Sequence, residues 1–132
     1  MNIIAIDIGT TTTKIIEYNN DKIVNKEIVL QKNAEEALYE FLTKYEIKKE
    51  NIEYIVLTGI GADKAKFNNT NIPIKIVEEF KAIAAGGLFL SNREEALIVS
   101  IGTGTALIRA TKNDIRHLGG TRVRSRNTYK SM

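Results

Sequence analysis

The chain has 132 residues, a length typical of a single domain. Its net charge is +3, but the segment 116–132 carries five of the 19 basic residues and none of the 16 acidic ones. The rest of the chain is therefore mildly acidic, which removes the charge argument for a nucleic-acid partner. Cysteine is absent and histidine occurs once, which excludes disulfides, thiolate catalysis and a multi-histidine metal site.

The hydropathy pattern offers neither a membrane span nor a targeting segment. No apolar run approaches the roughly 20 residues that a membrane-spanning helix needs. The N-terminal segment lacks the basic start of a signal peptide and has an acidic residue at position 7. We therefore expect a cytoplasmic protein that has no membrane partner.

The first thirty residues predict three antiparallel strands joined by short turns. β-Branched and apolar residues dominate the segments 3–8, 14–18 and 23–30, as is typical of strands. The segment 19–22 reads Asn-Asn-Asp-Lys, which is a signal for a hairpin turn. A meander is therefore expected at the start of the chain.

Helices and strands alternate in the next part of the chain. Asn33 is a suitable N-cap, and the two glutamates that follow it suit the positive end of a helix dipole, so a helix is expected there. Strands are predicted over 54–58 and 72–77, and Pro73 places the second at a sheet edge or at a strand start. The Ala-rich segment 80–90 predicts another helix.

The last predicted elements form a second antiparallel group. The segments 96–101, 106–111 and 115–118 have the composition of strands, with a turn at 113–114. A turn rich in glycine and threonine joins the first two of these strands, and it is similar in kind to the turn after the first strand of the chain. The order of elements predicts an α/β protein.

The segment 7–14, which reads Asp-Ile-Gly-Thr-Thr-Thr-Thr-Lys, has the groups that a phosphate needs. Gly9 permits close approach of the backbone, the threonines supply hydroxyls and Lys14 supplies positive charge. Asp7 could orient a water or hold Mg²⁺ through its hydration shell. The alternative is a hairpin turn that is merely rich in threonine. The segment is not a Walker A loop, because a strand rather than a helix follows it.

Other motifs have both a structural and a functional interpretation. The segment 100–105 reads Ser-Ile-Gly-Thr-Gly-Thr and suits a phosphate or a polar substrate, or a plain turn. Glu78 and Glu79 precede a predicted helix, where a carboxylate acts either as a general base or as a helix cap. The glycine turn at 58–62 either closes over a ligand or ends a strand. His117 is equally open to a structural or a chemical role.

Four segments, in this order and spacing, resemble the N-terminal half of a type II pantothenate kinase. They are IDIGTTTTKI at 6–15, LTGIGA at 57–62, VEEFKA at 77–82, and VSIGTGTAL with HLGGT at 99–107 and 117–121. That family belongs to the superfamily of acetate kinases, sugar kinases and actin. The resemblance implies an α/β fold of the RNase H-like (actin-like ATPase) class, in which a mixed sheet begins with three antiparallel strands and is flanked by helices.

The resemblance also implies cofactors, ATP and Mg²⁺, a substrate, pantothenate, and roles for individual residues. The ATP phosphates would contact Asp7, Gly9, Thr10, Thr11 and Lys14. Glu79 would be the catalytic base that takes the proton from the pantothenate hydroxyl. The substrate site would include Gly102, Thr103, Gly104, Thr105, Arg116 and His117. Thr10 and His117 depart from the family pattern, which often has a glycine and an arginine at these positions.

The resemblance stops at residue 121. We expect residues 1–121 to form one RNase H-like domain, and the basic segment 122–132 to be an aberrant, disordered tail that arose by frameshift or truncation. The second domain of the family, which closes over ATP and carries the usual homodimer surface, would then be absent. The chain alone would have little or no kinase activity.

Two other classes of function stay open. One is an ATPase of the same superfamily, such as the activator of a radical or CoA-ester enzyme, although such activators usually have cysteines that hold an iron–sulfur cluster. The other is a non-enzymatic binding or assembly module that uses the basic tail as its contact surface.

Overall fold

The structure, a computed structural model, describes residues 1–30, 33–102 and 104–121. It divides the chain into two compact units, of which the first spans Met1–Val77 and the second begins at Glu78. Each unit contains a sheet of its own. The expectation that residues 1–121 form one domain stays a prediction. The predicted tail, 122–132, lies outside the described residues.

The first unit contains a five-stranded mixed sheet with the strand order β3-β2-β1-β4-β5. Its strands are β1 (Asn2–Ile8), β2 (Thr12–Asn19), β3 (Lys22–Leu30), β4 (Ile52–Thr58) and β5 (Ile74–Ile76). The first three strands are antiparallel, whereas β4 runs parallel to β1 and β5 parallel to β4. The predicted meander is confirmed, and so is the edge position of the strand that follows Pro73.

The turn between β2 and β3 explains why these strands pair closely. Asn20 and Asp21 both have positive φ, 51° and 61°. Such a pair is typical of the two-residue turns whose twist matches that of a hairpin, and Asn and Asp tolerate this conformation better than most residues.

Helix α1 (Ala34–Lys44) covers one face of this sheet. Its N-cap is Asn33, as predicted, and the Asn33 side chain accepts hydrogen bonds from the backbone N–H groups of Glu35 and Glu36 at 2.9 and 3.2 Å. The helix and the sheet share one buried cluster, whose members include Ile4, Ile6, Ile8, Ile15, Ala37, Leu38, Phe41, Leu42, Ile55 and Leu57. Burial of each larger side chain of this cluster contributes about 1.5–3 kcal/mol, so the cluster is the main stabilising feature of the first unit.

The second unit contains one helix and a three-stranded antiparallel sheet with the strand order β6-β7-β8. Its elements are α2 (Glu79–Ser91), β6 (Glu95–Ile101), β7 (Thr105–Thr111) and β8 (Ile115–Thr121). Helix α2 packs on one face of this sheet, where Ala84, Ile108 and Ala110 are buried. Gly87 lies so close to Ile98 that a Cβ atom would overlap it, which explains a glycine inside this helix. Neither α1 nor α2, the α-helices of the described residues, is long and apolar enough to cross a membrane.

Glu35 joins the start of α1 to the loop that precedes β5. Its carboxylate accepts hydrogen bonds from the backbone N–H groups of Asn69 and Asn68, at 2.9 and 3.2 Å, and from the Thr70 hydroxyl at 3.0 Å. The backbone hydrogen bond from Asn69 is the main reason that the pKa of Glu35 lies below its ordinary value. The charged form of Glu35 is therefore favoured by folding.

We expect the substitution Glu35→Gln to weaken the dependence of stability on acidic pH. The folded-state pKa of Glu35 is depressed, so its contribution to stability is present above the unfolded-state pKa of about 4.3 and is lost as the pH falls through the folded-state value. The measurement is the urea midpoint of unfolding between neutral and acidic pH. The matched control is Glu36→Gln, which removes the same charge from an exposed neighbour in the same helical turn and should change the slope less than Glu35→Gln does. Equal slopes for the wild type and Glu35→Gln would contradict the prediction.

Candidate functional site

The first candidate loop is the tip of the hairpin between β1 and β2. The backbone N–H of Gly9 donates a hydrogen bond to the carbonyl of Thr12 at 2.9 Å and closes the turn. Thr10 and Thr11 lie at the tip and are exposed. Both threonines that were predicted to contact phosphate are therefore accessible at the end of the most central strand of the sheet.

Asp7 and Lys14 lie opposite each other on β1 and β2, directly below this turn. The Lys14 Nζ is 3.9 Å from Asp7 Oδ2, and the two side chains are 54% and 43% exposed. An ion pair so exposed contributes little to stability, about 0–1 kcal/mol. Lys14 can therefore turn to an incoming anion at little cost. The structure thus brings together all five residues predicted to contact phosphate.

Thr58, the last residue of β4, places a hydroxyl group beside Asp7. Thr58 pairs with Asp7 in the parallel ladder between β1 and β4. The Thr58 hydroxyl is buried and, within the described part of the chain, has no hydrogen-bond partner; the same is true of Thr13. An unsatisfied buried hydroxyl costs about 1–3 kcal/mol, and an oxygen-rich ligand could satisfy one of them. Thr58 belongs to the glycine-turn motif at 58–62, but the sequence did not identify it as a donor.

Gly59 and Gly61 allow the turn that follows β4 to pack closely against the end of β1. Gly59 has a φ of +94°, and a Cβ atom there would lie 2.5 Å from both Asp7 Oδ1 and the Ile8 carbonyl oxygen. The N–H of Gly61 also donates to the Ile8 carbonyl at 3.0 Å. The turn therefore lies close against Asp7 on the side of β4, and only glycine fits at position 59.

The second unit contains the predicted base, Glu79, as the first residue of α2. The N-cap is Glu78, whose carboxylate accepts a hydrogen bond from the Phe80 N–H at 3.4 Å. Glu79 is exposed. The two interpretations of this acidic pair therefore fall on different residues: Glu78 caps the helix, and the Glu79 carboxylate is not used in capping. The catalytic role of Glu79 stays a prediction.

The second candidate loop lies between β6 and β7. The Gly102 N–H donates to the Gly104 carbonyl at 2.7 Å, and Thr105 begins β7. Gly120, with a φ of +156°, lies where a Cβ atom would overlap the Thr105 carbonyl oxygen, so β8 approaches this loop closely. Thr103, which was predicted to contact substrate, lies outside the described residues.

Arg116 and His117 lie next to each other on β8. The Arg116 guanidinium is exposed and forms an ion pair with the Asp114 carboxylate at 3.2 Å. The His117 ring stacks on the Phe80 ring, with centroids 4.3 Å apart and planes inclined by 26°. His117 therefore has a packing role within the second unit, and the predicted contact of either residue with substrate stays a prediction.

Comparison with known proteins supports the fold but names no family. No protein-family model matches the sequence. The chain is 31% identical over 112 residues to an uncharacterized protein of Methanocaldococcus jannaschii, and the match covers 84% of this chain and 44% of that protein. The chain thus spans less than half the length of the curated relative it matches.

Solved structures with the same fold include component A of the (R)-2-hydroxyglutaryl-CoA dehydratase of Acidaminococcus fermentans, with a TM-score of 0.69 and 24% identity. The activator of the 2-hydroxyisocaproyl-CoA dehydratase of Clostridium difficile, with bound ADPNP, has a TM-score of 0.68 and 21% identity. A ROK hexokinase of Thermus thermophilus has a TM-score of 0.61 and 17% identity. The matches cover 87–89% of this chain and 45–47% of those chains. The predicted fold class, a mixed α/β fold of the actin-like ATPase type, is confirmed.

We expect Gly59→Ala to destabilise the first unit and Gly86→Ala to stabilise α2. At position 59 the methyl group meets Asp7 and the Ile8 carbonyl at positive φ, which costs about 1–3 kcal/mol. At position 86 a Cβ atom meets nothing within 4 Å, and alanine favours a helix by about 0.5–1 kcal/mol. Urea unfolding measures both changes. Equal effects of the same substitution at the two glycines would contradict this account of the turn at Gly59.

Proposed function

We propose that the first unit binds the phosphate groups of ATP, as one part of an ATPase with the actin-like fold. The observation that carries this proposal is the convergence of three elements on the end of β1. The hairpin loop supplies exposed Thr10 and Thr11, β2 supplies Lys14, and β4 supplies the buried hydroxyl of Thr58, which has no hydrogen-bond partner among the described residues. Hydroxyl donors, a closely approaching backbone and one exposed positive charge suit a phosphate.

The residues present also fit a magnesium ion that arrives with the nucleotide. Mg²⁺ usually keeps several waters and is held by one or two carboxylates together with substrate phosphates. Asp7 provides one partly exposed carboxylate beside the loop. Among the described residues, no group of three or more His, Cys, Asp or Glu side chains is placed to hold a metal ion. Asp7 would therefore hold Mg²⁺ through its waters, and the bound ion would neutralise phosphate charge.

Of the interpretations that the sequence left open, the ATPase has more support than the pantothenate kinase. Two of the structures with the same fold are a dehydratase component and a dehydratase activator, and the activator has ADPNP bound. None of the structures named above is a pantothenate kinase. These 132 residues contain no cysteine, so they cannot supply thiolate ligands to an iron–sulfur cluster. We therefore limit the proposal to nucleotide binding and ATP hydrolysis.

We expect Lys14→Ala to weaken the binding of Mg-ATP by the full chain at least about tenfold. The substitution removes a charge-assisted contact worth about 1.5–3 kcal/mol. Isothermal titration calorimetry with Mg-ATP measures the dissociation constant. The matched control is Lys22→Ala, which removes the same charge at the start of β3, at the opposite end of the sheet from the Thr10–Thr11 loop.

Two outcomes would contradict the proposed site. One is the absence of Mg-ATP binding by the wild type at millimolar concentration. The other is an equal loss of affinity in Lys14→Ala and Lys22→Ala, which would indicate a general charge effect and no contact at the loop.

A second candidate function, phosphoryl transfer to pantothenate, depends on Glu79. The observation in its favour is that Glu78 caps α2 and leaves the exposed Glu79 carboxylate outside the cap. If the chain is an ATPase, pantothenate should not change the rate of phosphate release from Mg-ATP, and ³¹P NMR should detect no phosphate ester. Formation of phosphorylated pantothenate, abolished by Glu79→Gln but retained in Glu78→Gln, would overturn the ATPase proposal in favour of the kinase.

A further inference from the structure

Side chains of α1 hold the loop that precedes β5. The Glu35 carboxylate accepts hydrogen bonds from the backbone N–H groups of Asn68 and Asn69, at 3.2 and 2.9 Å. A third comes from the Thr70 hydroxyl at 3.0 Å. Tyr39, one helical turn further along α1, donates a hydrogen bond from its hydroxyl to the Asn69 carbonyl at 2.9 Å. Because residues four apart lie on the same face of a helix, one face of α1 holds three consecutive loop residues.

The Tyr39 hydroxyl contacts two other residues besides Asn69. It lies 3.0 Å from the Thr70 hydroxyl and accepts a hydrogen bond from the Lys49 ammonium group at 3.2 Å. The same ammonium group lies 4.4 Å from the centroid of the Tyr39 ring. Acceptance from a cation strengthens the hydrogen bond that the hydroxyl donates to Asn69. Loss of this one hydroxyl would therefore break several contacts of the loop, while Glu35 would keep its own.

β5 has little attachment of its own to the first unit. It has three residues, and the side chains of all three are exposed, so none of them belongs to the core. After it, the Val77 N–H donates a hydrogen bond to the Leu57 carbonyl of β4 at 2.8 Å. Before it, Phe67 and Ile72 are partly buried against the core. Since segments with few buried apolar contacts open at a lower free-energy cost than core strands do, we expect β5 to open before β1 and β4.

The place of β5 in the chain gives its opening a consequence. The first unit ends at Val77 and the second begins at Glu78. Only Val77 lies between the end of β5 and Glu78, the N-cap of α2. If residues 68–77 came free together, about ten residues of free chain would connect the two units, with a reach of up to about 33 Å.

We infer that residues 68–77 form a latch, a segment that opens as one unit while the rest of the first unit stays folded. The Tyr39 hydroxyl and the Glu35 carboxylate hold the latch closed. The closed latch keeps the connection between the two units short, and the open latch lengthens it. The inference uses no property of the Thr10–Thr11 loop and is independent of nucleotide binding.

The test is native-state hydrogen exchange of the full chain, with the variant Tyr39→Phe and its matched control, Tyr45→Phe. Each change removes one phenolic hydroxyl and keeps the ring. The Tyr45 hydroxyl donates to the Glu27 carboxylate of β3, at the other edge of the sheet from β5. Opening of the latch breaks the contacts of the Tyr39 hydroxyl with the loop and leaves that of Tyr45 in place.

We expect Tyr39→Phe to raise the rates of amide exchange at Asn69 and Val77 by the same factor, at least about fivefold, because the closed latch loses hydrogen bonds that the open latch lacks. Tyr45→Phe should change both rates by no more than about twofold, since its lost contact is present in the closed and in the open latch.

The urea dependence of exchange tests the latch in the wild-type chain, without any substitution. Opening of the latch exposes little surface, so the amides of Asn69 and Val77 should share one weak urea dependence, whereas those of β1 should show the steep dependence of global unfolding. Three results would overturn the inference: different opening free energies at Asn69 and Val77, the steep urea dependence of β1 at both, or an equal response of both amides to the two substitutions.

Discussion

The alternation of side chains along β1 is the constraint on which the core and the candidate site of the first unit both depend. Ile4, Ile6 and Ile8 lie on the face that α1 covers, and Asp7, between two of them, lies on the other. Burial of the isoleucines on one face of the sheet therefore places the Asp7 carboxylate on the opposite face. A slip of one residue in pairing would exchange the two sets, which would bury Asp7 and expose the isoleucines. Because a slip would expose three side chains that are now at most 4% exposed, the register is strongly specified.

The central position of β1 also determines which other residues reach Asp7. β1 has β2 on one side and β4 on the other, so Lys14 and Thr58 both lie beside Asp7 in the ladders. Lys14 is close in sequence, and the site motif identified it. Thr58 comes from a distant strand, and its pairing with Asp7 is set by parallel packing, which no local pattern encodes. Sequence reasoning therefore identified the part of the candidate site that lies on one hairpin, and it did not identify the candidate donor that the tertiary fold adds.

Local chemistry explains which elements of the fold could be predicted. The cap at Asn33, the turn at Asn20–Asp21 and the edge position after Pro73 each depend on a residue whose backbone preference is strong. The division into two sheets has no such signal. The segments 3–8 and 96–101 have the same apolar alternation, and alternation identifies an apolar face without stating what covers it. The sequence also could not tell which of Glu78 and Glu79 caps α2, because the capping role depends on the backbone angles at the start of the helix.

The two Gly/Thr turns each join a pair of antiparallel strands, and the two hairpins differ in the chemistry that they present. In the first hairpin the pair below the turn is Asp7 and Lys14, and in the second the equivalent pair is Ser100 and Ala106. The second hairpin therefore offers hydroxyls and backbone groups without a charge, whereas the first adds a carboxylate and an ammonium group. Neutralisation of phosphate charge requires the ammonium group, and a hydrated cation requires the carboxylate. Repetition of the fold does not imply repetition of the function, because the function depends on the side chains that each hairpin presents.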